Sequence, residues 1–205
     1  MSEGTVRYER DGVVGRITFD RPAARNALTW AMYDELARAC ETIAADSEVR
    51  VAVLRGAGGK AFVAGTDIGQ FRDFKSGEDG VDYERRIAKY LAAVEELPVP
   101  SLAVVEGWAI GGGLAIAAAC DLRVATPGSR FGVPIARTLG NCLSIANYAC
   151  LAAALGLGRT QRMLLLAYYG AFTREQLSIK LDMPVNLLRA SLRRSLLEVE
   201  QCLGP

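Results

Sequence analysis

The amino-acid sequence predicts an α/β fold, and three features carry that reading. Apolar, β-branched runs recur at residues 13–19, 49–54, 101–105 and 121–125, each short enough to be one strand. Segments with apolar residues three and four apart lie between them, as amphipathic helices require. Glycines stand where a strand would turn into a helix, most densely at Gly111, Gly112 and Gly113. Strands alternating with helices imply parallel pairing through right-handed crossovers. The periodicity fits a spiral of such units and a doubly wound sheet equally well.

Each element has a local cause. Asp11-Gly12 is a turn before the strand at 13–19, and Arg21-Pro22 stops that strand. Residues 29–45 put Met32, Leu36, Cys40 and Ile43 on one helical face, with Met32 as core. The run at 49–54 is a buried strand, followed by a loop at 56–60. Residues 76–82 are polar and glycine-bearing and read as a loop, either plain surface or a cover over a site. A second amphipathic helix takes 83–97, with Tyr83, Ile87, Leu91 and Val94 on one face; Pro98 and Pro100 end it. After the strand at 101–105 and the glycines, the alanine-rich run at 115–120 reads as a buried helix. Glu106 and Asp121 flank that glycine-led helix and suit capping or salt bridges.

Composition narrows the function classes. A chain of 205 residues is one domain, or one with a small appendage. With 51% hydrophobic residues it can bury a sizeable core. A net charge of +1 recommends no particular charged partner. No apolar run reaches the roughly 18 residues that a bilayer span needs. The first residues lack the basic and apolar regions of a secretory signal, so a cytoplasmic location is expected. Cys40, Cys120, Cys142, Cys150 and Cys202 are an odd set without CxxC spacing, which suits reduced thiols rather than a disulfide framework or a zinc site. The chain has no histidine, which excludes Ser-His-Asp and Cys-His catalysis and any imidazole metal ligand within it.

The stretch at 107–115 organises the rest. Three adjacent glycines leave the backbone bare, so a ligand can come close to the main chain. The first N–H groups of the following helix have no partner inside it, and the helix dipole adds partial positive charge there. Such a place suits an oxygen that carries or is gaining negative charge. A tight packing turn would use the same glycines. The segment at 60–68 repeats the arrangement, with Gly65 at a bend after the strand at 49–54. Two strand-end bends offering backbone donors can converge on one oxygen.

Four segments in order resemble the crotonase, or enoyl-CoA hydratase/isomerase, superfamily across about 5–160: Phe19-Asp20-Arg21-Pro22 through Asn26-Ala27-Leu28, Ala61-Phe62-Val63-Ala64-Gly65-Thr66-Asp67-Ile68, the glycine stretch, and Arg130-Phe131-Gly132-Val133-Pro134. The resemblance implies a crotonase-like ββα spiral core at 1–160 that binds an acyl-CoA or enoyl-CoA thioester. It implies an oxyanion hole made by the Thr66 N–H and the Gly112 N–H, with lyase or isomerase chemistry. It sets Ala24, Arg25, Ala64, Asp67, Ile68 and Gly111 against the substrate or its coenzyme A. Arg25 is then placed to meet a phosphate, and a solvated loop role suits it as well. Asp67 also suits a helix cap. No separate cofactor is implied, since coenzyme A arrives as part of the substrate. Trimers or pairs of trimers are implied too.

The chain departs from that pattern at two places. The hydratases carry a glutamate two residues after the triple glycine and another just after the FGxP segment; here Ala115 and Ile135 stand there. Neither transfers a proton, so the usual two-glutamate addition of water is not supported. Arg137, Asn141 and Cys142 are the nearby substitutes. The family continues past the core with pocket-closing helices, whereas the residues from 161 read differently. Thr173-x-x-Gln176 is a capping box, Pro184 suits a first helical turn, and Val185, Leu188, Leu192, Leu196, Val199 and Leu203 form one stripe. This helical tail, 161–205, resembles the helix-turn-helix of sigma-factor region four. That likeness implies Arg189, Ser191, Arg193 and Arg194 at DNA. With six basic and four acidic residues over 161–205, the electrostatic footprint for DNA is weak. A plain helical tail fits the same residues. A non-catalytic thioester-binding homologue and a DNA-binding regulatory fusion are therefore the alternatives.

Overall fold

The computed structural model describes residues 3–71, 74–133, 145–158 and 160. The chain divides into two compact units, one of Met1–Gly132 with Ser144–Cys150 and one of Val133–Leu143 with Leu151–Pro205. The first unit is α/β. Its strands are β1 (Thr5–Asp11), β2 (Val14–Asp20), β3 (Val51–Gly56), β4 (Ala61–Val63), β5 (Ser101–Val105), β6 (Trp108–Ile110), β7 (Leu122–Ala125) and β8 (Arg130–Gly132). Its helices are α1 (Trp30–Ala45), α2 (Gly77–Glu95) and α3 (Gly112–Ala119). A further helix, α4, is Ile145–Leu155.

Strand order separates the spiral from the doubly wound sheet. One sheet runs β1-β2-β3-β5-β7 and a second runs β4-β6-β8. Each pass of the chain therefore puts one strand in the large sheet and the next in the small one before a helix returns it. The passes β3–β4–α2 and β5–β6–α3 are complete, and β7–β8 begins a third. All pairings after the antiparallel β1–β2 hairpin are parallel. This is the ββα spiral expected from the resemblance. Sequence periodicity alone predicts one strand per pass and a bare bend at 60–68. Strands of three residues are too short to show a period, which is why the small sheet is invisible to it.

Local sequence explains the helices. Thr29 caps α1 by accepting from the Met32 N–H. The buried face of α1 includes Met32, Tyr33, Leu36, Cys40 and Ile43. The loop expected at 76–82 is corrected: α2 begins at Gly77, because Ser76 and Asp79 form a reciprocal capping box that outweighs the glycines at 77 and 80. Helix α3 is apolar all round and buried, with Leu114, Ala115, Ile116, Ala117 and Ala118 in the interior. Asp121 accepts from both the Ser101 N–H and the Ser101 hydroxyl at 2.8 Å, tying the end of α3 to the start of β5. Those bonds hold its carboxyl below the ordinary carboxylate range. Glu106 pairs with Arg55 at 3.6 Å.

The early RPxxxNAL segment is a structural stitch. Asn26 is fully buried at φ 57°, a left-handed conformation that asparagine tolerates better than most residues. Its amide donates to the carbonyls of Ala57 (3.0 Å) and Ala61 (2.8 Å), and its Oδ1 accepts from the Arg21 N–H at 2.9 Å. One side chain thus clamps the loop after β2 onto the β3–β4 connection. Asn26→Ala leaves two buried carbonyls and one N–H without that partner, so it lowers unfolding stability by about 3 kcal/mol. Asn26→Asp keeps the acceptor and loses the donors. The check is the urea midpoint at constant m-value; a midpoint unmoved by Asn26→Ala contradicts the clamp.

Candidate functional site

Two glycine bends face one another. Gly65 follows β4 with φ 105°, and Gly111 follows β6 with φ 53°, conformations that a side chain strains. An added Cβ on Gly65 would lie 3.2 Å from the Ile110 carbonyl oxygen, and one on Gly111 would lie 4.0 Å from the Gly65 Cα. The two backbones are therefore in contact. The next residues, Thr66 and Gly112, are brought together as well: the Thr66 nitrogen lies 3.9 Å from where a Gly112 Cβ would be.

The direction of the amides follows from pairing. Thr66 forms an isolated parallel bridge with Leu28. The bridge uses the Gly65 carbonyl, which accepts from the Leu28 N–H at 2.8 Å, and the Asp67 N–H, which donates to the Leu28 carbonyl at 2.9 Å. In extended chain the intervening residue turns its own amide to the opposite side. Gly112 is the first residue of α3, where an amide has no partner inside the helix. Among the described residues, neither the Thr66 N–H nor the Gly112 N–H donates to another protein group.

The remaining residues singled out from sequence fall nearby in part. The Ala64 N–H donates to the Arg25 carbonyl at 3.1 Å, which sets the loop bearing Ala24 and Arg25 beside the one bearing Ala64. Arg25 is exposed at φ 52°, and Ile68 is exposed on the 3-10 turn Ile68–Phe71. Asp67 is already engaged: Oδ1 accepts from the Gly69 N–H at 2.8 Å, and Oδ2 pairs with the buried Arg21 at 2.5 Å. Its carboxylate starts the 3-10 turn and neutralises Arg21. Ala115 is 7% exposed and packs in the core, so an apolar methyl occupies that place. Ile135, Arg137, Asn141, Cys142, Arg189, Ser191, Arg193 and Arg194 lie outside the described residues. A cleft of about 570 Å³, lined by Gly4, Thr5, Asp20, Arg21, Pro22, Ala23 and Ala24, shares only Ala24 with the expected ligand-binding set. Neither Thr66 nor Gly112 lines it.

Sequence reasoning missed Tyr33, and it used Tyr83 only as part of an apolar face. The Thr66 Oγ1 lies 2.8 Å from the Tyr33 hydroxyl and 2.8 Å from the Tyr83 hydroxyl. Tyr33 is fully buried, and its oxygen would lie 2.7 Å from a Cβ on Gly112. Burial, then the neighbouring Tyr83, raises the Tyr33 phenol far above its ordinary value, and burial raises Tyr83 as well. Both are protonated at neutral pH and so able to donate. Trp30, Phe71 and Phe74 pack edge-on or tilted around these tyrosines with centroids 4.9–6.2 Å apart. Among the described cysteines, burial pushes Cys40 and Cys120 up to about 12 and Cys150 up to about 11, so none is a thiolate nucleophile at neutral pH. Among the described residues no group of three or more His, Cys, Asp or Glu is placed to hold a metal ion. No described helix is long and apolar enough to cross a membrane.

Solved structures superpose on this α/β spiral. An enoyl-CoA hydratase/carnithine racemase from Magnetospirillum magneticum superposes with a TM-score of 0.74 at 34% identity, covering 80% of this chain and 61% of that one. An enoyl-CoA hydratase from Bacillus anthracis gives a TM-score of 0.71 at 26% identity, covering 97% of this chain and 77% of that one. The short-chain-enoyl-CoA hydratase of Clostridium acetobutylicum is 39% identical over 134 residues, 65% of this chain and 51% of that protein. The chain spans about half the length of the curated relatives it matches. A model of the enoyl-CoA hydratase/isomerase family matches residues 9–171, and the chain belongs to that family.

The contact between Gly112 and Tyr33 is testable. Gly112→Ala puts a methyl 2.7 Å from the buried Tyr33 oxygen and costs about 1–3 kcal/mol through overpacking. Tyr33→Phe removes that oxygen, so the double variant regains part of the loss. Urea unfolding of the two single variants and the double variant measures the coupling. Additive effects contradict the close approach.

Proposed function

We propose that the chain binds an acyl-CoA or enoyl-CoA thioester and holds its carbonyl oxygen between the Thr66 N–H and the Gly112 N–H. The observation that supports this is the pairing of two unengaged amides across the Gly65 and Gly111 contact. Chemistry beside a thioester carbonyl moves charge onto its oxygen, and preorganised donors stabilise that charge as it forms. The reading is therefore enolate stabilisation, as in lyases and isomerases of the family. The alanine at 115 separates it from two-glutamate hydration, and a binding-only homologue shares every feature up to the proton transfer. Arg137 and Asn141 stay proposals as proton-transfer or polarising groups. The loop with Ala24 and Arg25 is proposed to meet the coenzyme A nucleotide. A cytoplasmic location and assembly as trimers or pairs of trimers are proposed on the family likeness alone.

The test compares Gly112→Pro with Gly112→Ala by calorimetric titration with a non-hydrolysable acyl-CoA analogue. Both variants carry a Cβ, and only proline lacks the N–H. Proline is tolerated at a first helical position, so folding survives the change. Gly112→Pro lacks the N–H and sets its Cδ where the carbonyl oxygen would sit, so it binds at least about five- to tenfold more weakly than Gly112→Ala. Where an acyl-CoA is turned over, kcat falls about 10²–10³-fold for the same reason. Equal affinity of the two variants contradicts the hole.

A further inference from the structure

We propose that the Thr66 side-chain hydroxyl donates a third hydrogen bond to the thioester carbonyl oxygen, oriented by Tyr33 and Tyr83. This rests on the thioester reading above and adds to it a donor that is not a backbone amide. A count of hydrogens supports it. Tyr33, Thr66 and Tyr83 bring three hydroxyl hydrogens to two O···O contacts, each of 2.8 Å. Among the described residues one hydrogen has no further acceptor and is left to donate to a ligand. Burial decides where it emerges. Tyr33 is fully buried, and Thr66 is its hydrogen-bond partner among the described residues. A buried O–H without an acceptor is costly, so Tyr33 donates to Thr66. The spare hydrogen is then at Thr66 or Tyr83, both of which are only partly buried.

Geometry favours Thr66. Its Oγ1 lies 3.5 Å from the Gly112 Cβ position, beside the two amides, and its second lone pair accepts from Tyr83. With both lone pairs filled by tyrosines, its own hydrogen points away from them. The amide and hydroxyl of one threonine then act on the same oxygen, with the Gly112 amide as the third donor. Tyr33 and Tyr83 are positioning residues in this arrangement, since they act through Thr66. The ligand class favoured is one whose carbonyl oxygen gains full negative charge, an enolate rather than a resting ester.

The experiment is isotope-edited infrared spectroscopy of butyryl-CoA carrying 13C at the thioester carbonyl, bound to the wild-type chain and to Thr66→Val, Thr66→Ser and Tyr83→Phe. Butyryl-CoA is saturated and cannot be hydrated, so the spectrum reports hydrogen bonding to the oxygen alone. The wild type shifts the carbonyl stretch to lower frequency. Thr66→Val keeps the amide and the bulk, recovers part of that shift towards the free ligand, and weakens butyryl-CoA binding by about fivefold. Thr66→Ser retains the shift, and Tyr83→Phe keeps a smaller one, because Thr66 stays a donor but loses one of the hydroxyls that orient it. Free coenzyme A, which has no carbonyl at sulfur, binds the wild type and Thr66→Val equally. Thr66→Val also strands the Tyr33 hydroxyl, so the Tyr33→Phe, Thr66→Val pair is measured beside it to keep fold and donor apart. A wild-type shift in Thr66→Val overturns the hydroxyl donor while leaving the amide hole standing. A shift in Tyr83→Phe no larger than that in Thr66→Val also overturns it, because the donor is then Tyr83. Failure of the wild type to bind butyryl-CoA overturns the thioester reading, and this inference with it.

Discussion

The structure depends on places where one backbone lies so close to another that a single carbon atom has no room. A Cβ on Gly113 would stand 2.1 Å from the Val63 carbonyl oxygen, one on Gly107 would stand 2.1 Å from the Lys60 oxygen, and one on Gly56 would stand 2.2 Å from the Ala61 oxygen. Those distances are well inside contact, so these glycines are set by volume whatever their dihedrals. Together they press the β4 segment against both the end of β3 and the turn that opens α3. The small sheet is a consequence. With only three residues per strand it has little pairing of its own, and it holds because glycines at its margins let the main chains meet. The position of Thr66 beside Gly112 follows from the same approach.

Clamps on the far side keep this contact in register. Asn26 ties the loop after β2 to the carbonyls on either side of β4's start. Arg21, buried in that loop, reaches the Asp67 carboxylate and the Ala27 carbonyl. A buried arginine without its acid would be a desolvated charge, so Asp67 cannot be removed cheaply. The residue after Thr66 is thus pinned by a charge, and Thr66 itself by two tyrosine hydroxyls. An amide held from both sides is preorganised, and preorganisation is what makes a donor effective against charge that develops during reaction.

Much of the fold was legible, for physical reasons that differ by element. The four strands of the large sheet named from sequence have β-branched cores bounded by turn residues, and α1 shows its helical period plainly. The glycine bends were legible because glycine at a strand-to-helix junction has a steric cause. The capped start of α2 was not read, since Gly77 and Gly80 obscure a Ser-x-x-Asp box that works through hydrogen bonds. The role of Asn26 was not legible either: the motif was visible, but its two carbonyl partners lie 31 and 35 residues away. Tyr33 sits next to Met32 on α1, where a tyrosine reads as one more core residue. Only the fold reveals that its hydroxyl ends at Thr66.

What remains at the candidate site is an environment made of donors. The start of α3 brings partial positive charge, the two amides bring N–H groups, and the tyrosines raised by burial stay protonated. At position 115 a buried methyl adds no charge and no proton acceptor. An array of neutral donors stabilises an anion once it exists and does little to create one. On the thioester reading proposed above, the base would come from the bound ligand or from residues beyond those described. On that same reading, a carbonyl oxygen placed between these donors is where developing negative charge would be stabilised.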